Sequence, residues 1–144
     1  HAGVATDLDG TPTRVMLAAA INEKGHLERL KEPRPLPQAI IDRAHAAISA
    51  RSQPGTGRIL AAQIRANKGP LTFLDDAVVL FAHTEGVDRT AIGTLSICRS
   101  YQGEQVIAKI ESARKTGEAR VVTVEGKIKE LALDTATPVI AIIP

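Results

Sequence analysis

The sequence predicts an α/β fold: a single domain over residues 1–144, with a largely parallel sheet flanked by helices and a β-hairpin near the N-terminus. Three observations predict it. From Gln102 onward the pattern reads helix, strand, helix, strand, the alternation of a parallel sheet. Ala77–His83 (AVVLFAH) and Pro138–Ile143 (PVIAII) are apolar runs without alternation, as in strands covered on both faces. The length of 144 residues suits one domain, which can bury enough surface to fold without a disulfide or metal staple.

Each element follows in order. Ala2–Thr6 reads as a brief strand ending in the turn Asp7-Leu8-Asp9-Gly10-Thr11-Pro12. Arg14–Asn22 and His26–Glu32 flank Glu23-Lys24-Gly25 as the arms of a hairpin. Pro33, Pro35 and Pro37 break the chain before a helix over Gln38–Arg51, whose Ile40, Ile41, Ala44, Ala47 and Ile48 share one face. Ser52–Gly57 is a turn, and Arg58–Lys68 a second helix stopped by Gly69 and Pro70. Val87–Cys98 fits strand or helix. Gln102–Thr116 reads as a helix with Val106, Ile107, Ile110 and Ala113 on one face and Gly117 as its stop. Ala119–Glu125 is a strand, Lys127–Asp134 one or two helical turns, and Pro138–Ile143 the last strand. Val79, Phe81, Val122, Val124, Ile140 and Ile142 are expected in the core.

Composition narrows the function. Net charge is +2 from 18 basic and 16 acidic residues, too balanced to require nucleic acid or a membrane surface. No apolar run approaches the ~18 residues of a membrane span. The aromatic residues are Phe73, Phe81 and Tyr101, too few for a base-stacking platform. The single cysteine, Cys98, excludes an internal disulfide and suits a reducing, cytoplasmic setting. His1, His26, His45 and His83 lack metal-ligand spacing. Ser52–Arg58 has glycines but neither the Lys nor the strand context of a phosphate loop. Arg58 and Arg65 lie seven apart on the expected second helix, a basic face that reads first as solvated surface.

The sharpest motif is Asp7-Leu8-Asp9-Gly10-Thr11. Two carboxylates two residues apart after a strand suit phosphoryl chemistry, one attacking and one moving a proton, with a divalent cation neutralising the pair. Here the chain resembles the haloacid dehalogenase-like superfamily, whose first motif is a strand followed by DxDGT. That resemblance implies a Mg²⁺-dependent phosphate-ester hydrolase. Asp7 would be the nucleophile, Asp9 the acid/base, and Gly10 and Thr11 the close approach to the ligand. Thr84, ending the run Val78–Thr84, would bond the phosphoryl oxygens, and Lys109 or Arg99 would balance their charge. Glu125 would hold Mg²⁺ together with Asp7 and Asp9. The same first segment, with its hairpin and helix, is also similar to the opening of sugar kinases and other actin-like ATPases, in a one-domain, ribonuclease H-like version.

A second class of function stands beside the enzyme: a non-catalytic binding or assembly domain, itself homo-oligomeric in one version, that recognises a small phosphorylated or anionic ligand or a protein partner. Glu125 is followed by Gly126 where the superfamily has a second carboxylate, which favours binding; the intact Asp7/Asp9 pair favours chemistry.

Overall fold

The computed structural model describes residues 15–49 and 58–144. The expected first strand, the Asp7–Thr11 turn and Ser52–Gly57 lie outside the described residues.

Within them the order is β1 (Met16–Ile21), β2 (Leu27–Pro35), α1 (Gln38–Ser49), β3 (Ile59–Ile64), β4 (Val78–Ala82), β5 (Leu95–Ser100), β6 (Gln105–Ala113), β7 (Glu118–Thr123) and β8 (Ile128–Ile143), with short 3₁₀ turns at Pro70–Leu74 and Arg89–Ala91. The strands are hydrogen-bonded in the order β2-β1-β3-β4-β8-β5-β6-β7, and β7 also pairs with β8. Among these pairings β1–β3 is the parallel one; the others are antiparallel. The α/β expectation is therefore corrected: the fold is mostly β, a mixed and mainly antiparallel sheet with one α-helix.

Two closures shape the sheet. β8 is long enough to pair in succession with β7, β5 and β4, so β5, β6, β7 and the first part of β8 form a closed four-stranded ring. Pro138 marks the hand-over: it is the last residue of β8 in register with β5, and Val139 is already in register with β4. A residue that cannot donate to the ladder suits the point where a strand changes partners. The second closure is narrower. An antiparallel bridge between His26 and Val106 brings the start of β2 onto β6, tying the β2-β1-β3-β4-β8-β5-β6 run into a larger barrel-like loop.

Three cores follow. The larger loop is filled by Ala19, Ile21, Ala62, Ile64, Val79, Phe81, Ile97 and Ile107. The small ring is filled by Cys98, Val106, Ala108, Ile110, Ala119, Val121, Leu133 and Ala136, with Ala91 packed among them. On the outer face α1 sets Ile40, Ile41, Ala44, Ala47 and Ile48 against Ala61, Val78, Leu80 and Ile143. This is the apolar face that its spacing predicts.

Having two cores explains the corrections to individual elements. Strand β6 sends Val106, Ala108 and Ile110 into the small ring and Ile107 into the larger one. Both its faces are apolar at one end, period-2 alternation is lost, and the spacing of Val106, Ile107 and Ile110 mimics a helix. Gly103 (φ 92°) and Gly117 (φ 93°) are turn residues at its two ends, and Gly117 is not the helix stop expected. The same holds for β3, where small Ala61 and Ala62 pack tightly in a strand and not in the helix expected over Arg58–Lys68. The helical turns expected over Lys127–Asp134 are the first half of β8. Of the expected core, Val79 and Phe81 are buried, while Val122, Val124, Ile140 and Ile142 are half-buried. No helix among the described residues is long and apolar enough to cross a membrane.

Candidate functional site

The residues that sequence reasoning assigned to a phosphoryl site fall on separate elements. Asp7, Asp9, Gly10 and Thr11 lie outside the described residues. Thr84 follows β4 and is engaged locally: its hydroxyl donates to the Gly86 carbonyl at 3.1 Å. Lys109 is exposed on β6, in register with Leu95 and Val122. Arg99, on β5, bonds the Asp134 carboxylate at 2.9 Å. Glu125 sits exposed in the turn between β7 and β8. Among the described residues no group of three or more His, Cys, Asp or Glu side chains could hold a metal ion, so Glu125 gathers no Mg²⁺ site with the described carboxylates. Cys98 is fully buried in the small ring, and desolvation pushes its thiol up to about 12, which makes it packing and not a nucleophile.

Glu125 does line a cleft, and its surroundings are informative. A cavity of about 360 Å³ opens where the small ring ends beside the β7–β8 turn. Its floor is apolar: Val106, Ile107, Val121 and Leu131. The register explains part of this. Lys129 stands opposite Val121 and Leu131 opposite Ala119, so these side chains share the inner face of the ring, and toward the mouth that face changes from Val and Leu to Lys. Thr123 and Lys127 continue the rim, and the β1–β2 turn contributes Lys24 and His26 from the other side.

Local chemistry fixes both turns that form the rim. In the β1–β2 turn the Asn22 carboxamide oxygen accepts from the amides of Lys24 (2.9 Å) and His26 (3.1 Å), an Asx turn. Gly25 takes φ 84°, and its carbonyl accepts the Ile107 amide at 2.9 Å. A Cβ here would lie 3.0 and 3.2 Å from the two Val124 methyls, so glycine permits both the turn and the close docking on β6. In the β7–β8 turn the Thr123 hydroxyl accepts the Lys127 amide at 3.2 Å. Between the two turns the His26 Nε2 lies 3.3 Å from Glu104 Oε1.

The cleft therefore offers an apolar floor under a rim with three lysines (Lys24, Lys127, Lys129), two glutamates (Glu104, Glu125) and one histidine. Three lysines against two glutamates make the rim net cationic. Sequence reasoning missed Lys24, His26, Glu104, Lys127 and Lys129 as a group. The available signal was Lys127 and Lys129 two apart; it became legible only with 127–134 read as strand, where residues two apart share a face.

Comparison with protein-family models, curated proteins and solved structures gives no match. The functional reading therefore rests on the geometry and chemistry of the chain itself.

Proposed function

We propose that this chain is a binding domain that takes a small organic anion, an acidic group on an apolar body, at the mouth of its smaller ring. The observation that carries the reading is the layering of that cleft: Val106, Val121 and Leu131 below, Lys24, Lys127 and Lys129 above. Its volume falls at the lower end of the ~300–1,000 Å³ typical of small-molecule sites, and the mouth of a β-barrel is a recurrent place for them. Burial of the apolar body supplies most of the binding free energy, at about 25 cal/mol per Å², while the lysines orient the acidic end.

Octanoate is a suitable probe, followed through amide shifts in a ¹H–¹⁵N correlation spectrum. Shifts are expected at Lys24–His26, Glu104–Ile107 and Val121–Leu131. Octanol, with the same tail and no charge, binds more weakly. The double variant Lys127→Gln/Lys129→Gln weakens octanoate roughly three- to tenfold, the worth of one or two exposed ionic contacts. Equal binding of octanol and octanoate, or no effect of the double variant, defeats the proposal.

A further inference from the structure

The larger loop is closed between β2 and β6 at the His26–Val106 bridge and the Ile107–Gly25 hydrogen bond. Beyond that point lies a second cleft of about 450 Å³, lined by Leu27 and Arg29 of β2 and by residues of the β5–β6 hairpin. It lies across the His26–Glu104 contact from the mouth described above, and none of its lining residues is shared with it.

Two guanidinium groups line this seam, Arg29 from β2 and Arg99 from β5. Arg99 is held in place. Its Nη2 lies 2.9 Å from Asp134 Oδ2, and Asp134 is the extra residue of a bulge: Arg99 stands opposite Thr135 and Ser100 opposite Leu133, leaving Asp134 without a register partner on β5. A bulge is a way for a sheet to re-aim a side chain. Because a guanidinium carries five N–H donors, the contact with Asp134 leaves Arg99 able to grip a second anion. Gln105, in register with Arg99, adds a carboxamide to the same lining. Of the charged lining residues two are cationic and one anionic, so the seam carries net positive charge.

We infer that the seam is an oxyanion site that takes a phosphate group between Arg29 and Arg99. Two planar forks with a carboxamide nearby match a group with three or four oxygens better than a carboxylate with two. This inference is independent of the proposal for the ring mouth, because it uses a different cleft and different side chains.

The test is titration of the intact chain with inorganic phosphate and, separately, phenyl phosphate, at ionic strength held constant with chloride, read by amide shifts and by calorimetry. Shifts at Arg29, Arg99–Gly103 and Gln105 are expected. Arg29→Gln and Arg99→Gln should each weaken binding at least tenfold, with Lys127→Gln/Lys129→Gln leaving it unchanged. Phenyl phosphate binding tighter than phosphate assigns the site to phosphate esters, with the exposed Tyr101 ring at the rim; equal binding assigns it to the free ion, and both support the inference. Arg29 is exposed on β2, so Arg29→Gln gives a folded variant even where loss of the Arg99–Asp134 pair disturbs the bulge. Shifts equalled by chloride or acetate, or affinity unchanged in Arg29→Gln, overturn it.

Discussion

The turn between β6 and β7 offers a quantitative check on the fold, because a nearly identical turn next to it serves as a control. Gly117 and Gly126, in the β6–β7 and β7–β8 turns, have φ of 93° and 81°. Substituting alanine forces a Cβ into this left-handed region at either site, at a cost of about 1–2 kcal/mol. A stiffer unfolded chain offsets this by about 0.4–1 kcal/mol. The sites differ in their surroundings. A Cβ on Gly126 meets nothing within 4 Å, whereas one on Gly117 lies 2.9 Å from the Leu133 carbonyl oxygen. That oxygen belongs to backbone and has no rotamer to escape into. It cannot retreat without disturbing the Leu133 amide, which donates to the Gly117 carbonyl at 2.9 Å. Overpacking of this kind adds about 1–3 kcal/mol. Gly126→Ala should therefore lose about 1 kcal/mol and Gly117→Ala about 2–4 kcal/mol. Urea denaturation at unchanged slope reads both values, and each kcal/mol lowers Tm by roughly 2–4 °C at this chain length. A Gly117→Ala loss within 0.5 kcal/mol of the Gly126→Ala loss refutes the packing of β8 against the β6–β7 turn.

Three further outcomes are expected. Leu80, fully buried beneath α1, should lose about 2–5 kcal/mol on change to Ala, whereas half-buried Val122→Ala should lose about 1 kcal/mol or less; equal losses in chemical denaturation count against the placement of the outer core. The Cys98 thiol is raised by desolvation from 9.0 to about 12, so the unfolded chain releases its proton first and stability falls as pH rises from 9 toward 12, by about 1.4 kcal/mol per unit in that window; Cys98→Ser should flatten the slope, and a thiol reagent should label Cys98 only after unfolding. For the Asp7-Leu8-Asp9-Gly10-Thr11 segment, a resident Mg²⁺ raises Tm in millimolar Mg²⁺, by the equivalent of about 2.7 kcal/mol at a hundredfold excess over Kd, and Asp7→Asn removes both the rise and the turnover of a generic phosphate ester; with neither rise nor turnover, the segment is turn chemistry.

How much of the fold is legible in the sequence depends on how many cores an element touches and on whether its run is apolar throughout. Helix α1 packs on one core, and its single apolar face is plain from Ile40, Ile41, Ala44 and Ile48. Strand β4 also sends its side chains into two cores, but it is apolar throughout, and the continuous Val78–Phe81 run is read as a buried strand. Strands β3, β6 and β8 divide their side chains between cores, so their patterns satisfy neither period cleanly. The runs Ile59–Ile64 and Gln105–Ala113 then imitate helices, and with them the sequence imitates the helix–strand alternation of a parallel sheet. The long β8 hides further, because its polar first half and apolar second half serve different partners across Pro138.

The two clefts are illegible in the sequence for a related reason. Neither rests on a contiguous motif; both lie where one closure of the sheet ends. At the ring mouth, the inner face of β8 runs from Leu133 and Leu131 to Lys129, so the polarity change is spread along one face of one strand. At the seam, Arg29 and Arg99 are seventy residues apart in sequence and share a cleft only because Gly25 lets the β1–β2 turn dock on β6. Gly25 therefore couples fold to function. A side chain there pushes on Val124, strains the turn and loosens the Ile107 hydrogen bond that docks the β1–β2 turn on β6. If the two clefts work as argued, Gly25→Ala disturbs octanoate and phosphate binding together, while Lys127→Gln/Lys129→Gln affects only the first and Arg29→Gln only the second. That pattern of one shared and two separate effects is what a single docking turn between two independent sites requires, and a Gly25→Ala variant that binds both probes normally would break the link.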